Sequence, residues 1–197
     1  MTNTSLAHVL DAARALHQAT PLLSGFAPWP VDIMPAPVAP LHVPAADLVA
    51  ALGLAAPARC RPFVDAIRAA TAHAHWKRTY TEAEVGADFL ARYGYFELFG
   101  PTGHFHSHQL RGYIAYWGEG LNYDWHHHEA EELYFVLAGS AEFLAEGSAP
   151  ARLGPGQTRH HAANQPHAMV THDEPVLTYV LWRGAGMADL PKMGRAA

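Results

Sequence analysis

Closely spaced histidines and carboxylates precede an apolar run in the stretch DWHHHEAEELYFVLAG. One residue separates His126 from His128, three more precede Glu132, and the set is framed by Gly120 and Gly139. Side chains alternate along an extended strand, so His126 and His128 share one face and the histidine between them points to the other. The stretch therefore predicts one half of a metal site on β-structure.

Tyr134 has the same parity as Glu132 and is expected on its face. Residues 129–131 are able to form a turn. Alternation therefore places His126 with His128 and Glu132 with Tyr134, but it does not by itself place both pairs on the same face. Imidazole, carboxylate and phenol ligands favour Fe(II), Zn, Mn, Co or Ni over Mg or Ca. The sequence predicts one such divalent transition metal. A tyrosinate beside this cation could remove a proton next to a metal-bound carboxylate.

The amino-acid composition argues against nucleic-acid binding and against cysteine-based metal sites. The formal charge is −5, and only 13 residues are Lys or Arg, which argues against a nucleic-acid partner. The single cysteine, Cys60, excludes an intramolecular disulfide framework and any multi-cysteine metal site. A metal would therefore need His, Asp or Glu, and the chain has 15 histidines.

The chain shows no targeting or membrane signal. Its first 20 residues lack a basic segment followed by an apolar core and a cleavage site, and no stretch approaches a membrane span. We expect a cytoplasmic protein with a small-molecule substrate and no membrane partner. A homodimer is left open.

Residues 1–93 are predicted to be a helical extension. Apolar residues recur at helical spacing behind Ser5, a candidate N-cap. The seven prolines from Pro21 to Pro44 predict an extended strap without regular helix. Further helices are predicted over residues 45–54, 63–76 and 81–94, the last with a capping box at its start and Gly94 at its end.

Residues 94–185 read as β-structure, followed by a tail over residues 186–197. Short aromatic and β-branched runs, each closed by glycine, are typical of successive antiparallel strands. Gly139 and Ser140 are predicted to join two of them as a hairpin. The expected fold is mainly β with an α-helical N-terminal part, namely a β-barrel covered by helices.

The spacing from Gly120 to Gly139 resembles the first signature of the cupin superfamily without a gap. This resemblance implies a cupin barrel, that is, a double-stranded β-helix or jelly roll. In the second signature only Gly156 and His167 are retained, while Ala162, Asn164 and Thr171 occupy the other fixed positions. His160 is a rival for the ligand histidine because it stands four residues before an asparagine. We prefer His167, which directly follows a proline.

A narrower resemblance rests on YWGEGLNYDWHHHEAEELYFVLAGSAEF together with GPTGHF, LGPG, NQPHAM and WRG. These stretches resemble the cupin-type dimethylsulfoniopropionate (DMSP) lyases of the DddQ type over residues 76 to 184. The resemblance implies β-elimination of DMSP to acrylate and dimethyl sulfide. It also implies site residues, with Tyr134 as the base and a further candidate ligand, and Tyr123 as a second base candidate or a substrate positioner. The implied metal ligands are His126, His128, Glu132 and His167.

Aromatic faces are expected to surround the sulfonium cation. The candidates are Trp117, Tyr123, Trp125 and Tyr179, of which Tyr123 is preferred.

Two other functions use the same ligands. One is another cupin metalloenzyme, an Fe(II) dioxygenase or an isomerase, and the other is a non-catalytic small-molecule sensor. The second histidine cluster, GHFHSH, lacks a carboxylate in register and is predicted to be structural or pocket-lining.

Overall fold

The computed structural model describes residues 4–194. Helices dominate the first half of the chain, up to residue 92. They are α1 (Thr4–Ala19), α2 (Pro21–Phe26), α3 (Pro44–Ala50), α4 (Arg61–Ala70), α5 (Glu82–Val85) and α6 (Ala87–Arg92), with a 3-10 turn at Thr71–His73.

Strands dominate the second half. They are β1 (Met34–Pro35), β2 (Tyr93–Gly100), β3 (Phe105–His106), β4 (Arg111–Trp117), β5 (Asn122–His127), β6 (Glu131–Gly139), β7 (Ala141–Ala145), β8 (Ser148–Leu153), β9 (Thr158–His161), β10 (His167–Val170), β11 (Val176–Arg183) and β12 (Lys192–Met193). They form a seven-stranded sheet in the order β1-β3-β2-β4-β11-β6-β9 and a five-stranded sheet in the order β12-β5-β10-β7-β8.

The seven-stranded sheet is apolar on both faces, and β11 shows why. Leu177, Tyr179 and Leu181 alternate along it and pack with the helices in one core cluster. Val180 and Trp182 point the opposite way, into a second cluster that includes residues of the five-stranded sheet. When both faces of a sheet are covered, the sequence of each strand is a continuous apolar run and does not alternate between apolar and polar residues.

The helices cover the outer face of the seven-stranded sheet. The stripe of α1 predicted from the sequence is buried and packs chiefly against α4. Its members are Leu6, Val9, Leu10, Ala13 and Leu16. Proline begins α2 and α3, where the missing N–H would have no intrahelical partner.

The two sheets face each other across the second cluster. Trp117 of β4 and Tyr123 of β5 have ring centroids 5.6 Å apart, and Tyr134 of β6 and Phe143 of β7 are 5.3 Å apart. Each pair joins one sheet to the other. The space between the sheets is therefore lined by aromatic side chains from both.

Some local expectations for the helical half were wrong. Ser5 lies inside α1 instead of capping it, and the proline-rich strap contains the helix α2. The capping box of Thr81 and Glu84 is confirmed, but Gly86, with φ 82°, separates α5 from α6. Gly94 lies within β2 and does not end a helix.

The hairpin predicted at Gly139 was also wrong. β6 pairs with β11 and β9, whereas β7 pairs with β10 and β8. Gly139 and Ser140 therefore carry the chain from one sheet to the other. A two-residue link between two short strands reads like a hairpin in the sequence, although the strands share no ladder.

The mainly β fold with an α-helical N-terminal part is confirmed. Within residues 4–194 the strands form two sheets rather than one closed barrel. β1 comes from the helical half and β12 from the tail, so both outer segments contribute to the sheets. The three-part division at residues 93 and 185 stays a prediction. No helix in this part of the chain is long and apolar enough to cross a membrane.

Candidate metal centre and pocket

Three of the predicted ligands converge between the two sheets. His128, Glu132 and His167 each offer one ligand atom, and these atoms all lie within 4.8 Å of one another. His128 follows β5 directly, Glu132 is the second residue of β6, and His167 begins β10. The site thus joins two residues that are close in sequence to a third from a distant strand, and all three side chains are buried.

The converging atoms lack hydrogen bonds. Oε2 of Glu132 lies 3.1 Å from Nε2 of His167 and 3.4 Å from Nε2 of His128. None of these three atoms has a hydrogen-bond partner in the described part of the chain. Buried polar atoms are almost always hydrogen-bonded, and exceptions call for an explanation such as an ion.

Backbone carbonyl oxygens orient the imidazoles. Nδ1 contacts such an oxygen in three histidines: 2.9 Å from His126 to Asp124, 2.8 Å from His128 to Ala130, and 2.8 Å from His167 to Gln165. A histidine that donates Nδ1–H presents Nε2 as its free electron pair, which is the usual arrangement of a metal-binding histidine. His128 and His167 direct that Nε2 at Glu132.

Trp182 orients the carboxylate. Its indole N–H donates to Oε1 of Glu132 at 2.7 Å, which leaves Oε2 for the space between His128 and His167. The indole ring also stacks on the His128 ring, with centroids 4.0 Å apart and an interplanar angle of 29°. One side chain on β11 thereby fixes two of the converging residues.

The electrostatics suit a divalent cation. Burial alone would raise the pKa of Glu132, but the imidazoles of His128 and His167 hold it well below its usual value. Burial holds the pKa of His126 well below its usual value, and the neighbouring His167 acts in the same direction. A carboxylate anion and a neutral imidazole are the protonation states that bind metals. The donor set and its unpartnered atoms therefore fit a transition-metal ion.

His126 lies beside this group. Its ring centroid is 4.1 Å from that of His167 and 6.4 Å from that of His128. It does not belong to the three-residue set whose ligand atoms lie within 4.8 Å. Its role as an additional ligand stays a prediction. His160, the rival of His167, instead contacts Glu131 near the surface, with Nε2 and Oε2 3.3 Å apart.

Both predicted tyrosines line a pocket next to these residues, together with Glu132 and His126. Burial raises the pKa of Tyr134 well above its usual value, and the Glu132 carboxylate raises it further. Burial does the same to Tyr123, whose hydroxyl oxygen lies 2.6 Å from that of Tyr80. Both phenols are therefore protonated in the metal-free protein.

The pocket is largely aromatic. Its empty volume is about 440 Å³, which includes space open to solvent. Its lining residues are Thr79, Tyr93, Tyr95, Tyr113, Ala115, Trp117, Tyr123, His126, Glu132, Tyr134, Val180, Trp182, Leu190 and Pro191. Mostly apolar walls with a few convergent polar groups are typical of small-molecule sites.

The structure separates the other aromatic candidates. Trp117 lines the pocket, whereas Tyr179 lies on the opposite face of its sheet among the helices. Trp125 is half-buried and does not line the pocket. In GHFHSH, His104 is buried and accepts a hydrogen bond from the His75 backbone. Of these three aromatic candidates, only Trp117 therefore lies at the pocket.

Three residues at or beside the site were not predicted from the sequence, namely Trp182, Tyr80 and His161. Trp182 stands in the quoted stretch WRG, but nothing in the sequence indicated its bond to Glu132. Tyr80 belongs to the helical half, where no motif singles it out. His161 is fully buried, and its ring lies 4.0 Å from that of His167. Burial lowers the pKa of His161 to about 2, so it is neutral.

Comparison with known proteins places this architecture in a family. Residues 37–178 match the model of the dimethylsulfoniopropionate lyase family. This chain belongs to the DMSP lyase family. A curated member, DMSP lyase DddQ of Ruegeria pomeroyi, is 43% identical over 186 residues, which are 93% of this chain and 91% of the relative.

Solved structures of DMSP lyases agree in fold. A chain from the crystal structures of the DMSP lyases RdDddP and RnDddQII is 47% identical, with a TM-score of 0.96 over 99% of this chain and 100% of that chain. The crystal structure of DddQ from Ruegeria pomeroyi is 41% identical, with a TM-score of 0.92 over 97% of this chain and 96% of that chain. The likeness includes the helical half as well as the two sheets.

Proposed function

We propose that this chain is a metal-dependent DMSP lyase that splits DMSP into acrylate and dimethyl sulfide by β-elimination. The observation that carries the proposal is the group of unpartnered ligand atoms of His128, Glu132 and His167 beside a pocket that holds a tyrosine. Membership of the DMSP lyase family supports the choice of substrate.

We assign His128, Glu132 and His167 as the metal ligands, with His126 as an additional one. A bound divalent cation would neutralise the substrate carboxylate, stabilise negative charge developing at C2 and favour the tyrosinate form of a neighbouring phenol. The chain's own part is to hold the ligands in place. Nδ1 contacts to backbone oxygens fix the three histidines, and Trp182 fixes Glu132.

Tyr134 is assigned as the base. It follows Glu132 by two residues on β6 and lines the pocket. Its phenolate oxygen takes the C2 proton, the C2–H electron pair forms the C2–C3 double bond, and the C3–S bond breaks. Sulfur leaves with that bonding pair as neutral dimethyl sulfide. The leaving group needs no proton, so the reaction requires one base and no general acid.

The sulfonium cation is assigned to the aromatic end of the pocket. The rings of Tyr93, Trp117 and Tyr123 lie there, with centroids 5.4 to 6.0 Å apart. Aromatic faces bind cations without a counter-ion, and the attraction grows when water is excluded. This arrangement would place the two ends of a zwitterion at the carboxylate-binding and aromatic ends of one pocket.

We also propose candidates for the metal, the cellular compartment and the oligomeric state. Fe, Zn, Mn, Co and Ni all suit a His and Glu ligand set, and cellular supply selects among them. Cys60 is buried and free, which suits a reducing compartment such as the cytoplasm. Light scattering of the purified protein would decide between a monomer and a homodimer.

Headspace gas chromatography tests the function. Purified apo-protein is mixed with DMSP before and after addition of each of the five metals, beside His167→Ala and the surface control His160→Ala. We expect dimethyl sulfide from wild type and His160→Ala only when metal is present, and none from His167→Ala. Dimethyl sulfide no higher than in His167→Ala with every metal would overturn the lyase proposal. Oxygen uptake would then identify a dioxygenase, and ligand binding without turnover a sensor.

A further inference from the structure

The three histidines of the candidate centre share a second contact besides their Nδ1 bonds. One face of each imidazole stacks on another aromatic ring at a centroid distance of 4.0 Å. The pairs and their interplanar angles are His126 on Tyr123 at 26°, His128 on Trp182 at 29°, and His167 on His161 at 14°. Each ring is therefore held at one nitrogen and on one face.

His161 is the unexpected member of this set. It lies on β9 directly opposite Glu132 of β6, so both side chains project from the same face of the sheet. It is fully buried, and neither of its ring nitrogens has a hydrogen-bond partner among residues 4–194. The Tyr134 ring is also near, with the two ring centroids 5.8 Å apart and the ring planes nearly perpendicular at 84°. Its contacts are therefore those of a flat ring and not those of a hydrogen-bonding group.

We propose that His161 is a positioning residue that fixes the tilt of the His167 ring and so aims Nε2 of His167 at the metal position. This inference rests on the proposed metal site. It assigns no contact between His161 and the metal or the substrate, since His161 does not line the pocket.

The need for such a contact follows from the geometry of imidazole. The Nε2 electron pair lies in the ring plane, so a tilt of the plane misdirects the pair. The Nδ1 contact to the Gln165 carbonyl oxygen is a single point and allows the ring to rotate about it. A parallel ring against the face of His167 removes that freedom. Loss of such outer contacts typically lowers metal affinity by about 10- to 100-fold.

The nitrogens and the ring of His161 are separable by substitution. His161→Phe keeps a flat ring without nitrogen, His161→Asn keeps a smaller flat group, and His161→Leu keeps bulk without a flat face. His160→Ala is the matched control on the same strand, because His160 points outward to Glu131. Far-UV circular dichroism of each apo-protein verifies the fold.

The measurement is Co(II) binding to apo-protein, read as the visible absorption spectrum and as affinity in competition with a chelator. We expect wild type, His160→Ala and His161→Phe to share one spectrum, with affinities within about threefold. His161→Leu should bind about 10- to 100-fold more weakly, with a shifted spectrum, as expected for a lost outer contact. If the larger ring of His161→Phe prevents folding, His161→Asn should bind between wild type and His161→Leu.

Four results overturn the inference or separate it from the function. Equal spectra and affinities for wild type and His161→Leu contradict a positioning role. A folded His161→Phe that binds as weakly as His161→Leu shows that the nitrogens matter and not the ring, which also contradicts it. If wild type binds no Co(II), both the proposed metal site and this inference are contradicted. Wild type that binds Co(II) but forms no dimethyl sulfide with any metal defeats only the lyase proposal.

Discussion

Trp182 contacts two proposed ligands at once, through its N–H to Glu132 and its ring face to His128. Trp182→Phe removes the N–H and keeps an aromatic face. We expect metal affinity to fall by about 10- to 100-fold, because Glu132 loses the donor that orients it. Chelator competition with apo-protein measures this. An unchanged affinity would show that Glu132 is held without Trp182.

At the residue scale the sequence predicted three residues that converge in the structure, but not the residues that hold them in place. His128 and Glu132 were identified from strand parity and the first cupin signature, and His167 from the second signature and the proline before it. Trp182 and His161 were not, because their roles depend on which strands become neighbours. β11 and β9 flank β6 on its two sides, and no pattern in the sequence specifies that pairing.

Gly139 shows how one residue controls the path of an element. Its φ of 71° is left-handed, and a Cβ atom there would lie 1.8 Å from the Pro175 carbonyl oxygen. Gly139→Ala should cost about 2–5 kcal/mol of unfolding free energy, from backbone strain plus the clash. Urea denaturation measures this.

Gly147 is the matched control for Gly139. It has a similar φ of 74°, but a Cβ atom there would meet nothing within 4 Å. Gly147→Ala should therefore cost only about 1–2 kcal/mol from strain alone. Equal losses for the two variants would show that the contact with Pro175 adds nothing.

Arg111 of β4 and Glu97 of β2 form a buried ion pair between adjacent strands, with 2.8 Å between Nη2 and Oε2. Arg111 also donates to the Met187 carbonyl oxygen at 2.7 Å, which ties down the segment before β12. Arg111→Met leaves a buried carboxylate without its cation and should cost about 3–5 kcal/mol of unfolding free energy.

The exposed ion pair of Arg152 and Asp173 is the control for Arg111→Met, because its two charged groups are at a similar distance, 2.7 Å. Arg152→Met should cost under about 1 kcal/mol, because water screens that pair. Urea denaturation of both variants makes the comparison. A cost for Arg111→Met no larger than the cost for Arg152→Met would contradict the account of the buried pair.

At the element scale, strand and helix periodicity predicted most segments, and local rules failed at their ends. The hairpin at Gly139 was wrong because a short glycine link looks the same whether the next strand pairs or changes sheet. The strap prediction missed α2 because proline excludes helix interiors but is well accommodated at a helix start, where Pro21 stands.

Buried neutral histidines make the stability of the whole molecule depend on pH. Burial lowers the pKa of His104 to about 4, and burial also lowers the pKa of His17 from 6.5. Below about pH 6.5 the unfolded chain therefore binds protons that the folded chain does not, and stability is lost as pH falls. Each such histidine contributes up to about 1.4 kcal/mol per pH unit.

Urea denaturation of apo-protein at intervals from pH 7 to pH 5 measures that slope. His104→Asn should make it shallower by up to one proton, while the amide oxygen keeps an acceptor for the His75 N–H. A slope that is flat in wild type, or the same in His104→Asn, would contradict the assignment of His104 as a buried neutral side chain.

At the scale of the molecule, the sequence predicted the class of fold but not its assembly. Aromatic and β-branched runs indicated a β-rich second half, and the mainly β fold with a helical N-terminal part is confirmed. The reach of β1 and β12 into the sheets was not predicted, because both strands have only two residues. Strands that short have no periodicity to detect.

The assignment of Tyr134 as the base is tested most directly by initial rates of dimethyl sulfide release from metal-loaded Tyr134→Phe and Tyr123→Phe. Tyr134→Phe should lose at least about 100-fold, the usual contribution of a general base. Tyr123→Phe keeps the ring that stacks on His126 and should stay within about tenfold of wild type. Near-wild-type rates for Tyr134→Phe, or a larger loss for Tyr123→Phe than for Tyr134→Phe, would contradict the account.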